Sequence, residues 1–69
     1  LWPEVVGEGI AEVTRARSVS DATLFVEVRS SAWMMELDMM KGRILARLNE
    51  GRDEASRIAK LVFVLAEGG

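Results

Sequence analysis

Five apolar residues, Trp33, Leu37, Met40, Ile44 and Leu48, recur at i, i+4, i+7, i+11 and i+15, the strongest periodic signal in the chain. Steps of three and four residues bring side chains onto one face of an α-helix, so the stripe predicts one long amphipathic helix with that face against a core. Met34 and Leu45 widen the stripe. Ser30 and Ser31 stand before it as N-cap candidates, whose hydroxyls accept a backbone N–H that the first helical turn leaves unpaired. Asn49-Glu50-Gly51 closes the helix, with Gly51 placed for a left-handed C-terminal cap. Gly42 is a mid-helix cost and predicts that a neighbouring backbone comes close. Met35 and Met39 fall off the stripe together, either as a satellite of the core or as a binding patch; the flexible thioether suits both roles.

Before that helix, residues 1–13 read as a short helix. Pro3 suits its first turn, and Trp2, Val6, Ile10 and Val13 fall at helical spacing. Gly7 and Gly9 weaken it, which predicts a bend or close packing. Residues 14–29 read as a hairpin. Leu24, Val26 and Val28 alternate with Phe25, Glu27 and Arg29, so the two sets lie on opposite faces of a strand. Ser20-Asp21-Ala22 supplies the turn, though an Asp-Gly pair is the stronger signal. Asp53 to Ser56 adds a single turn. Residues 58–65, Ile-Ala-Lys-Leu-Val-Phe-Val-Leu, read as a strand apolar on both faces; a short helix competes, and the β-branched and aromatic content favours the strand. Residues 67–69 read as the start of a linker.

The order is therefore α-β-β-α-β, an α+β fold of two layers, with helices on one face of a three-stranded sheet. The other face is left open around Phe25 and the last strand, Phe63 included. Open apolar surface rimmed by charge is a common interaction site.

Composition narrows the function. Among 69 residues there is neither His nor Cys, which removes the commonest general base, thiol nucleophile and zinc ligands. Glu50, Asp53 and Glu54 read as solvated acids near a helix end. Ser30-Ser31 has no base to activate it, and Gly7-Glu8-Gly9 follows no strand, so it is no dinucleotide cradle. No enzyme, metal or cofactor is expected. A hydrophobic content of 49% beside 29% charged residues argues for a folded domain. Lack of Cys fits a reducing compartment, and no apolar run reaches the ~20 residues a membrane span needs, so the expected location is cytoplasmic. The chain opens at Leu1-Trp2 without Met and reads as the core of a longer protein.

Net charge is −2, unlike the strongly basic balance of most nucleic-acid binders. Phosphate contact would have to come from local clusters: Arg15, Arg17 and Arg29 on the hairpin, or Arg43 and Arg47 one turn apart on the long helix.

Three stretches together carry a family pattern. Residues 1–7, Leu-Trp-Pro-Glu-Val-Val-Gly, hold a Trp and a Val-Gly in the first helix. Residues 24–37 hold an L-x-V-x-V strand and then Ser30-Ser31-Ala32-Trp33 opening the long helix. Residues 45–49 end it in Leu48-Asn49. In that order, over nearly the whole chain, they resemble the DciA family of bacteria. The resemblance implies a single KH-like domain over residues 1–69. It also implies a part in recruiting or loading the replicative helicase DnaB as DNA replication begins, with contact to single-stranded DNA. The family's usual Asp-Gly turn is Asp21-Ala22 here, and no Gly-x-x-Gly clamp of true KH domains is present. The expectation is thus a non-enzymatic adaptor. Its helicase would meet Phe25, Phe63, Met35 or Met39, and weak DNA contacts would fall to the five arginines. A stand-alone DNA or RNA binder and a homodimerisation module are the alternatives.

Overall fold

Leu24, Val26 and Val28 are buried, while Thr23, Phe25 and Glu27 between them stay half-exposed, so this strand has one face on a core and one toward water. The computed structural model describes residues 2–66. Its elements are α1 (Trp2–Val6), α2 (Glu8–Glu12), β1 (Thr14–Ser20), β2 (Thr23–Val28), α3 (Ser31–Met39), α4 (Lys41–Leu48), a 3-10 turn (Glu54–Ser56) and β3 (Lys60–Leu65). The linker expected at residues 67–69 lies outside the described residues.

The sheet runs β1-β2-β3. β1 and β2 form an antiparallel hairpin, and β3 joins β2 in parallel after the α3–α4 crossover, which parallel pairing requires. Leu37 from α3, Ile44 from α4, Ile58 and Leu61 close over Leu24, Val26 and Val28, and Trp2, Val5, Val6 and Ile10 from α1 and α2 pack at the margin. All helices therefore lie on one sheet face, in two layers, an α+β arrangement compatible with a KH-like one. Burying an aliphatic side chain fully contributes ~1.5–3 kcal/mol, so Leu37, Val26 and Val28, at 0% exposure, anchor the domain.

Several expectations change in detail. The first helix is two helices: Gly7 at φ 92 ends α1 and turns the chain into α2. A Cβ at Gly9 or Gly42 would meet nothing within 4 Å, so neither glycine marks a close approach of backbone. The long helix is interrupted at Met40, whose φ −98 and ψ 2 leave the helical region. Its stripe survives the step, because Leu37 and Ile44 on either side are both buried. Trp33 does not share that burial. Trp33, in the first turn of α3, is 38% exposed and is not among the residues packed on the core.

The hairpin turn is tighter than Asp-Ala suggests. Asp21 and Ala22 both adopt positive φ, 52 and 58, the signature of a type I′ turn. The irregular alternation of β1 has a cause too: pairing shifts between Ala16 and Ser18, a bulge that inserts Arg17. Ser30 caps α3 as expected, its Oγ accepting from the Trp33 N–H at 3.2 Å. At the other end of the fold the Trp2 indole N–H donates to Thr14 Oγ1 at 2.8 Å, and that hydroxyl donates to Ile10 O at 2.8 Å.

Candidate interaction surfaces

Strand register assigns every side chain to a face. Phe25 pairs with Val62, and Glu27 with Val64 and Arg15, so these residues share the open face, with Lys60 beside Thr23. Phe63 pairs instead with buried Val26 and packs against the core on the helix side, where the Lys41 ammonium lies 5.8 Å from its ring centroid. Phe25 and Phe63 are therefore on opposite faces, and the open surface is built around Phe25, Val62 and Val64. A strand apolar on both sides does not announce which side is buried, which is why the sequence placed Phe63 wrongly.

The five arginines divide in two. Arg15 belongs to the open face, and Arg17, turned by the bulge, brings Nη1 to 3.9 Å from Glu27 Oε1. Arg29 shares a shallow hollow with Arg15, Glu12 and Glu27 at the end of the hairpin. Two acids among three arginines leave this end nearly balanced, and solvent-exposed pairs of this kind contribute at most ~1 kcal/mol. Arg43 and Arg47 sit on α4, in the helix layer behind the sheet. Arg47 also ties α4 to α1, donating from Nη2 to Glu4 O at 3.2 Å. One continuous phosphate track through all five is therefore not built. Lys60, which strand alternation puts beside Thr23, is a further cation on the open face that charge counting alone had passed over.

α3 carries the most exposed apolar surface. Met35 is 72% and Met39 84% exposed; one turn apart, they project on the side of α3 away from buried Leu37. They are no satellite of the core. Glu36 and Asp38 flank them, and Asp38 is held by Lys41 at 3.2 Å.

Of the acids near the 3-10 turn, Asp53 serves local structure. It caps the turn, accepting from the Ser56 N–H at 3.0 Å and hydroxyl at 2.9 Å, and those bonds hold its carboxyl below the usual carboxylate range. No helix among the described residues is long and apolar enough to cross a membrane.

A family model described as "Dna[CI] antecedent, DciA" matches residues 1–63. The chain is 41% identical over 49 residues to a UPF0232 protein of Corynebacterium glutamicum, covering 71% of this chain and 28% of that one. A UPF0232 protein of Streptomyces avermitilis is 33% identical over 70 residues, 99% of this chain and 38% of its own length. One of Mycobacterium tuberculosis is 38% identical over 47 residues, 68% of this chain and 25% of its own. The chain thus spans between a quarter and two-fifths of the length of these relatives.

Proposed function

The chain belongs to the DciA family, and on that premise we propose that it is a non-enzymatic adaptor that recruits or helps to load the replicative helicase, of DnaB type, in bacterial DNA replication. The observation that carries this reading is the family match along residues 1–63, nearly the whole folded unit. The helicase contact falls to the outer side of α3, where Met35 and Met39 expose apolar surface that the domain's own core does not use. Methionine suits such a contact because its unbranched chain adapts to the partner's shape. DNA contact is secondary and falls to Arg15, Arg17, Arg29 and Lys60 around the open face, with Phe25 between them as the apolar element. Arg43 adds a contact from the helix layer, whereas Arg47 acts chiefly as a brace for α1. Because Glu12 and Glu27 offset the hairpin arginines, binding to single strands is weak, and because it rests on phosphate contacts it falls as salt rises. No bond is made or broken.

A pull-down of the helicase from the same bacterium tests the reading. The chain is expected to retain the helicase, Met35→Glu/Met39→Glu to lose it with circular dichroism unchanged, and Arg15→Glu/Arg29→Glu to keep it while weakening single-strand binding in fluorescence anisotropy. Failure of the unaltered chain to retain the helicase overturns the adaptor role.

A further inference from the structure

The two edges of the sheet are built differently. β1 is bulged at Arg17 and carries Arg15 and Arg17, devices that discourage another strand from adding there. β3 is regular over six residues, Lys-Leu-Val-Phe-Val-Leu, with one charge at its start and no bulge in its pairing with β2. Among the described residues no strand lies on its other side.

Its outward groups can be assigned. The Lys60 N–H donates to Ala22 O at 3.1 Å and the Ala66 N–H to Val28 O at 2.8 Å, both toward β2. Alternation between those ends turns the N–H and C=O of Leu61, Phe63 and Leu65 away from β2, to the free edge. Beside that edge runs a groove lined by Met34 and Met35 from α3 and by Val62 and Phe63 from β3, with Asp38 and Lys41 on its rim.

From this we propose that β3 is the pairing edge of a homodimer, in which a second copy of this chain adds its own β3 antiparallel about a two-fold axis at Phe63. In that register Leu61 faces Leu65 of the second copy and Phe63 faces its equivalent. The residues that meet are then the ones whose hydrogen-bonding groups point outward, and each pair exchanges two backbone bonds. Lys60 falls opposite Ala66, so no like charges meet along the strand. The acid and base on the rim, Asp38 and Lys41, pair with each other within one copy at 3.2 Å, so the rim brings no net charge to repel a second copy of itself. The dimer closes, because among the described residues each copy has one such edge and β1 is blunted. The inference does not rest on the helicase reading, although Met35 belongs to both surfaces.

Hydrogen exchange on the chain between roughly 10 μM and 1 mM, beside sedimentation over the same range, tests it at affinities expected of a small interface. Dimerisation is expected, with exchange at the Leu61, Phe63 and Leu65 amides slowing at least about tenfold as the dimer fills. Leu65→Pro deletes one outward N–H at a half-exposed strand end, where an edge tolerates proline. That variant is expected to keep the fold and sediment as a monomer throughout. A strict monomer at the top concentration overturns the proposal. So does a dimer in which those three amides exchange unchanged, which would place the contact on the open face or on α3, and so does protection that appears only when another protein is added.

Discussion

The side-chain amide of Asn49 pairs with the backbone of Ile58 in both directions: Nδ2 donates to Ile58 O at 2.9 Å, and the Ile58 N–H donates to Asn49 Oδ1 at 2.7 Å. Nδ2 also donates to Leu45 O at 3.1 Å, so one side chain closes α4 and holds the approach to β3. Ile58 is thereby delivered into the core at 5% exposure, and β3 starts two residues later. The Leu48-Asn49 ending of the helix thus has a physical reason.

Asn49→Ala removes that clamp and leaves the Ile58 N–H and C=O without their side-chain partner, while Leu45 O keeps the backbone N–H of residue 49. Unfolding in urea is expected to show a loss of about 2–3 kcal/mol, from the cost of unpaired polar groups. In a domain this small, that is a large fraction of the whole. A loss below about 0.5 kcal/mol would mean water replaces the amide freely.

Ala22 holds φ 58, where a Cβ is strained. Ala22→Gly is expected to raise stability by about 1 kcal/mol, with the denaturant midpoint moving and the slope unchanged. A decrease would contradict the type I′ geometry.

Glycine at 42 and glycine at 7 should respond in opposite directions. Space is open around both, but only Gly7 needs positive φ, at 92. Gly42→Ala is expected to gain about 0.5–1 kcal/mol from helix propensity, a rise of several degrees in melting temperature for a domain of this length. Gly7→Ala is expected to lower it. Calorimetry of the two variants checks both signs.

Asp53 supplies the pH dependence. Its folded-state pKa is lowered from 3.8, first by the Ser56 hydroxyl and then by the Ser56 backbone N–H. A depressed carboxylate stabilises the fold fully above its unfolded value and loses that contribution as pH falls through the folded value. The stability gap between the chain and Asp53→Ala is therefore expected to be constant near neutrality and to narrow below pH 3.8. Urea titrations of both proteins across that range measure it, and a gap that widens in acid would contradict the cap.

Much of this architecture was legible in the residues. Alternation at Leu24, Val26 and Val28 assigned the buried face of β2, and the Leu37–Ile44 spacing located the helix that covers it. Periodicity defines an angle around an element, however, and not how far along it the core reaches, so Trp33 in the first turn of α3 read as core though it is 38% exposed. Nor does it register a single non-helical residue, and the break at Met40 was invisible because the stripe continues across it. Residues 60–65 are apolar on both faces, so only pairing with β2 reveals that Phe63 lies inside and Val62 outside. Charge counting placed Arg47 among the phosphate contacts, where the fold uses it to hold the Glu4 carbonyl. The exposure of Met35 and Met39 needed the packed structure, since only there are Leu37 and Met34 seen to be the α3 residues that meet the core.

Isothermal titration of the chain into the replicative helicase of the same bacterium tests the adaptor role most directly. Saturable binding is expected, weakened at least tenfold, or about 1.4 kcal/mol, by Met39→Glu. That position is 84% exposed, so the fold tolerates the change. Absence of binding, or an affinity indifferent to Met39, would contradict a helicase contact through the outer side of α3.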